Sequence, residues 1–307
     1  MVELGKQYLE GDSQADKTGF KAKARLHQSR FRAEKLKLPC VYYGNILTPE
    51  DGIIGKNFYP DFDVFEAVKG YRPYNKPLYS NMLRSEHIPF NLFIPLRHDL
   101  AYSTAVFNSI LGGCVKSIDS HSIIDKKENL KVEFAPKPKK NYLNDRTSFD
   151  VYIEYNHVDN SRGMIGIEVK YTEGEYEFSG ETEKKAFDNL TSKYYTVASN
   201  SGLFKSNQYN KLKSNSFRQI WRNHLLGESI LQYKPEMFKH FTSLTLFPKG
   251  NQHFISASHD YLSFLKKSDN NFIAIVYEEF FSLLKDYTQS SRYLNWITYL
   301  VERYIVD

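Results

Sequence analysis

The 307-residue chain is poor in cysteine, tryptophan and methionine, with two, two and four residues respectively. Cys40 and Cys114 stand far apart and neither belongs to a C-x-x-C pair. That excludes a disulfide scaffold or a zinc ribbon and suits a reducing, cytoplasmic compartment. No window approaches 18 uninterrupted apolar residues, so no membrane span is expected. The opening stretch MVELGKQYLEGDSQADK lacks the apolar run of a secretory signal. Missing too are a GxSxG elbow, a GxxxxGK[ST] phosphate loop and an HExxH helix. His27, His87, His98 and His224 do not share a metal-ligand spacing and read as ordinary hydrogen-bonded histidines.

What is present is aromatic and mildly basic: 23 Tyr, 22 Phe and a net charge of +5. Apolar residues at 41% and charged residues at 25% are ordinary for a globular protein of this length. Residues 1–20 are polar and expected to fray. Seven cations follow between Lys21 and Lys37 against one acid, Glu34, on a predicted helix that stops at Pro39. Val41 to Tyr79 reads as long loops with short elements. Leu100 to Leu111 reads as a helix ended by Gly112 and Gly113.

Then the period changes. LKVEFAP (130–136) and FDVYIEY (149–155) alternate as strands do, and the turn HVDNSRG (157–163) leads into MIGIEVKYT. Helices are expected over 181–195 and 216–232, the second with Trp221, Leu225, Leu226 and Ile230 on one face. FTSLTLF, ISASHDYLSFLKK, NFIAIVY and EEFFSLLKDY follow as strand, helix, strand, helix. A last helix spans 292–304, with Leu294, Ile297, Val301 and Tyr304 on its apolar stripe. Such alternation predicts an α/β fold: a mixed central sheet flanked by helices, carrying an N-terminal helical and loop elaboration. With no clear linker, residues 21–307 read as one domain, elaboration over 21–99 and core over 100–307.

GMIGIEVKYTEGE carries the chemistry. Alternation along a strand points Glu168 and Lys170 to one face and Val169 to the other. Burying both charges without partners would cost several kcal/mol per ion. Asp150, at the start of the preceding strand, can approach Glu168 if the two strands pair antiparallel. Two carboxylates and a main-chain carbonyl are hard oxygen ligands for Mg²⁺, and the lysine can hold an attacking water and offset charge on phosphorus. The bland alternative is a same-face salt bridge worth about 0–1 kcal/mol. Asp145 reads as a turn residue beside Arg146 and Thr147, and Glu154 as a solvent-facing charge.

Asp150 followed by Glu168-Val169-Lys170 resembles the PD-(D/E)XK nuclease superfamily, with Phe149 where a proline commonly stands. HQSRFRA (27–33), SEHIPFNLFIPL (85–96), DRTSFDVYIEY (145–155), GIEVKYTE (166–173) and RQIWRNHLL (218–226) are together similar to an uncharacterised bacterial family assigned as restriction endonucleases. The resemblance implies a restriction-endonuclease-like core and a metal-dependent DNA endonuclease. Asp150, Glu168 and the Val169 carbonyl would bind Mg²⁺, with Mn²⁺ as a substitute, and Lys170 would serve the nucleophilic water. It adds Glu86 as an upstream metal ligand, Gln219 as a polar helix residue, and Arg222 or Asn223 as phosphate contacts. Glu86 is equally an ordinary helix start, and Gln219 equally a solvated helix residue.

The basic segment (Lys23, Arg25, Arg30, Arg32) and the cluster Lys137, Lys139, Lys140 suit a phosphate backbone; neutralising roughly six phosphates gives a log K against log salt slope of about −5. The expected partner is DNA, with no membrane and no small-molecule cofactor. A homodimer would let both strands be cut, though no segment specifies an interface. Rival readings are an exonuclease, a nickase or a branched-DNA nuclease of the same fold, and a non-catalytic DNA-binding protein.

Overall fold

The computed structural model describes residues 3–266 and 271–306. Its centre is a mixed six-stranded sheet: β1 (Val115–Ser117), β2 (Lys131–Phe134), β3 (Phe149–His157), β4 (Arg162–Val169), β5 (His240–Phe247) and β6 (Phe272–Val276). The order is β1-β3-β4-β5-β6, with β2 beside β3 on the same edge as β1. β3 and β4 form the expected antiparallel hairpin, in a register that pairs Val151 with Ile167. β5 and β6 run parallel to β4 and to each other, as the helical crossovers between them require.

The sheet separates two apolar layers. Val151, Ile153, Ile165, Ile167, Val169, Leu244 and Leu246 face residues from the N-terminal third and the helices Tyr277–Asp286 and Ser291–Tyr304. Tyr152, Met164, Phe241 and Phe247 face the helices Arg218–Tyr233 and Gln252–Ser263. Trp221, Leu225, Leu226 and Ile230 are all buried there, as their shared face predicts. In the last helix the stripe is rotated: Tyr293, Trp296, Ile297, Leu300 and Tyr304 are buried, while Val301 is exposed. The larger aromatic rings claim the core, each worth about 1.5–3 kcal/mol on burial.

Three expectations are corrected. The helix over 181–195 is two helices, Glu181–Asp188 and Lys193–Ser201, parted by a turn in which Asn189 caps Thr191. The N-terminal stretch is anchored from residue 3 rather than frayed, and residues 1–2 lie outside the described residues. Lys6 bridges Tyr43, and a short helix runs from Gln14 to Thr18. Gly44 permits the approach, since a Cβ there would lie 1.8 Å from the Leu4 carbonyl oxygen. Finally, Glu154 does not face solvent. It is fully buried and accepts hydrogen bonds from the Ser122 hydroxyl and from the Ile123 N–H at 2.6 Å, satisfying a loop that the hairpin covers.

Candidate active site

Glu168 lies near the C-terminal end of β4, on the face that meets the helix Arg218–Tyr233. The register of β3 and β4 sets Asp150 directly across from it. β2 pairs with β3 through Lys131–Tyr152, Val132–Val151 and Phe134–Phe149, which sets Glu133 across from Asp150 on the other side. Three carboxylates therefore stand in a row over β2, β3 and β4. Glu133 holds φ at +58°, a left-handed backbone rarely adopted by a residue other than glycine.

Asp150 Oδ2 accepts the Val169 N–H at 2.7 Å. A strand residue's N–H and C=O share one edge, so the Val169 carbonyl points to the same side. Lys170 lies just past the end of β4, its N–H bonded to the Leu246 carbonyl at 2.8 Å. Its ammonium pairs with Glu168 Oε1 and reaches the Tyr176 hydroxyl at 3.2 Å. Glu168 and Lys170 are 4% and 2% exposed, so this is an interior ion pair rather than a bridge on a wet edge. The bland alternative of a solvated pair is thereby removed. Gln219 and Asn223 donate to the two Glu168 oxygens from successive turns of the helix above. That helix comes close because Gly227 carries no side chain: a Cβ there would lie 2.0 Å from the Phe241 ring.

Burial pushes the Asp150 carboxyl well above its usual value, and the negative charges of Glu168 and Glu133 add to the rise. Glu133 is pushed up to about 7, by burial first and then by Glu168. Burial alone would pull the Lys170 ammonium down. Glu168, with Tyr176 and Asp150 beside it, holds it above its ordinary value instead. The donor set is three oxygen-bearing groups that repel one another in the absence of a cation, which fits a hard divalent ion. Gln219 adds a buried Oε1 that has no hydrogen-bond partner.

The remaining sequence candidates divide. Glu86 lies close enough to raise Glu133 electrostatically, but it is held by Arg72 at 3.2 Å and Arg84 at 2.9 Å. Arg222 is tied to Asp145 at 3.1 Å and Glu183 at 2.8 Å. Asp145 is the expected turn residue, accepting the Thr147 N–H at 2.8 Å. Arg25 and Arg32 are interior: Arg32 donates to the carbonyls of Gly44, Leu38 and Glu3, and Arg25 to those of Gln7 and Asp16. They fasten the N-terminal stretch and are not available to a phosphate backbone. Lys23, Arg30, Lys137, Lys139 and Lys140 are at least partly exposed. Sequence reasoning passed over Glu133. The signal was an acid at the centre of the alternating LKVEFAP strand, on the edge that covers Asp150.

No helix among the described residues is long and apolar enough to cross a membrane. No curated protein and no solved structure matches the chain. A protein-family model described as the PD-(D/E)XK nuclease superfamily matches residues 14–306, almost the whole sequence. Its match takes in the hairpin, the carboxylate row and the interior lysine together, and the chain belongs to the PD-(D/E)XK nuclease superfamily.

Proposed function

We propose that the protein is a Mg²⁺-dependent, restriction-type DNA endonuclease that works through Asp150, Glu168 and Lys170. The observation that carries the reading is the meeting of these groups at one point. Asp150 is opposite Glu168 and bonded to the Val169 N–H, and Lys170 is buried against Glu168. Glu133 joins the set as a third carboxylate. When bound, a divalent cation would supply Lewis-acid polarisation of the scissile phosphate. Asp150, Glu168, Glu133 and the Val169 carbonyl would hold it.

The chain's own groups do the rest. Lys170 stays charged in the interior, where an ammonium can orient a water for in-line attack and offset the negative charge that develops on the phosphoryl oxygens. Tyr176 covers Lys170 with its ring centroid 4.6 Å from Nζ, which limits bulk water around the ammonium. Gln219 and Asn223 fix the Glu168 carboxylate, and the unpartnered Gln219 Oε1 can turn toward a cation there.

A cleft of about 820 Å³ is lined by Lys139, Arg146 and Lys193 and by Arg222 with its partners Asp145 and Glu183, one helix position from Asn223. Lys137, Lys139 and Lys140, exposed on the turn that leads toward β3, suit a DNA backbone lying along it. Cleavage of both strands calls for a second copy of the chain or a second encounter.

The deciding experiment compares wild type with Lys170→Ala on supercoiled plasmid in Mg²⁺ and in chelator. Wild type should nick and linearise the plasmid only with Mg²⁺. The variant should bind DNA and leave it intact. Equal nicking by the two proteins rejects the assigned site, and intact plasmid with salt-sensitive binding by wild type identifies a non-catalytic DNA-binding protein.

A further inference from the structure

A second cluster of ligating groups lies at the opposite end of the sheet. Asp150 is the second residue of β3 and His157 its last; seven residues at about 3.3 Å each separate the two by roughly 23 Å. His240 opens β5, so its ring lies at the same end of the sheet as His157, with β4 between the two strands. The two imidazoles stack with centroids 3.8 Å apart and planes 16° from parallel. Asp159, from the β3–β4 turn, reaches both rings. Its Oδ1 is 3.0 Å from His157 Nδ1, and its Oδ2 is 2.9 Å from His240 Nε2.

Hydrogen bonding alone does not satisfy this arrangement. The Asp159 N–H donates to His157 Nδ1 at 3.2 Å, so that nitrogen presents a lone pair. The same lone pair then faces a carboxylate oxygen that already takes the Ser161 N–H at 2.8 Å and the Ser161 hydroxyl at 2.6 Å. A proton on Nδ1 would instead set two N–H groups against each other. A cation on the Nδ1 lone pair turns its clash with the Asp159 carboxylate into an attraction, and the Asp159 N–H then gives up Nδ1 as its acceptor. One ligand atom from each of the three residues lies within 4.8 Å of the others. Ligands about 2.0–2.1 Å from a tetrahedral ion stand roughly 3.3 Å apart, and because imidazole lone pairs lie in the ring planes, binding would turn the two rings out of their near-parallel stack.

We propose that His157, Asp159 and His240 form a transition-metal site of the Zn²⁺ class, clamping the end of the β3–β4 hairpin to the start of β5. Two imidazoles and a carboxylate are borderline ligands, which favour Zn²⁺ and its neighbours over Mg²⁺. Three protein ligands leave a fourth position open to water. His157 and His240 also help to line a cleft of about 510 Å³. Glu228 lines the same cleft, 6% exposed, its carboxyl without a hydrogen bond among the described residues. The site shares no residue with the carboxylate row and stands or falls apart from the nuclease reading.

The test uses the full chain, stripped with chelator, in an Asp150→Asn, Glu168→Gln background that removes the carboxylate row as a metal binder. Zn²⁺ titrated by calorimetry should bind at one site and raise Tm, and Co²⁺ should give the visible absorption of a tetrahedral ion. Adding His240→Asn should weaken Zn²⁺ binding by roughly 10- to 100-fold or more, the range set by loss of mere outer partners, and abolish both the Tm gain and the Co²⁺ band. Asp159→Asn, in an exposed turn, should do the same with an unaltered melting curve in chelator, which separates ligand loss from misfolding. Unchanged Zn²⁺ affinity in either variant, or no binding in the background protein, overturns the proposal.

Discussion

Substitution of Glu133 by glutamine isolates the charge crowding at the carboxylate row. The folded protein holds this carboxyl at about 7 against an ordinary 4.5. Below pH 4.5 the group is protonated in both folded and unfolded chains and contributes nothing. Between 4.5 and 7 the unfolded chain releases a proton that the folded chain keeps, so stability falls as pH rises. Above 7 the full penalty is present. The gap between the two values corresponds to about 3 kcal/mol at most, and sharing of the repulsion with Asp150 lowers the figure for Glu133 alone. Glutamine preserves shape and removes the charge. Chemical denaturation in chelator should therefore find Glu133→Gln more stable than wild type by about 1–3 kcal/mol at about pH 8 and nearly equal at about pH 4. The same variant should lose Mg²⁺-dependent cleavage, and Mg²⁺ should stabilise wild type at pH 8 more than the variant. A variant less stable than wild type at pH 8, or a difference independent of pH, would refute the proposed crowding of Glu133, Asp150 and Glu168.

Two further outcomes test the scaffold and the proposed DNA contact. Gly227→Ala sets a methyl 2.0 Å from the Phe241 ring; it should cost about 1–3 kcal/mol and lower cleavage further than stability, because it lifts Gln219 and Asn223 from Glu168, which denaturation and plasmid nicking measured together will separate. Replacing Lys137, Lys139 and Lys140 together by alanine should make the log K against log salt slope shallower by up to about 0.9 for each phosphate no longer neutralised, measured by fluorescence anisotropy with a DNA duplex, whereas an unchanged slope removes this turn from the interface.

The central hairpin, the parallel crossover and the triad of Asp150, Glu168 and Lys170 were legible because each rests on a local rule. Alternation fixes the face of Glu168 and Lys170, the turn HVDNSRG fixes the hairpin, and the register follows. What stayed hidden depends on tertiary pairing. Glu133 is one acid in a short strand until β2 docks against β3 and sets it opposite Asp150. Arg25 and Arg32 look like their neighbours Lys23 and Arg30 in sequence, and only the returning N-terminal stretch makes them interior. Glu154 shows the same effect in reverse: its alternating strand suggests an outer face, yet residues 122–124 cover that face and use its oxygens.

The helix Ser291–Tyr304 closes the layer built by the N-terminal third. Trp296 donates to the Asn91 carbonyl at 2.8 Å, Tyr304 receives the Asn91 amide at 2.7 Å, and Arg303 reaches Asn57 at 2.8 Å. During translation, residues 58–107 emerge long before the segment that seals them. The nascent chain must carry an open apolar surface until position 304 clears the ribosome, a state suited to chaperone capture. Any truncated product lacking this helix would be left with that surface uncovered and open to proteolysis.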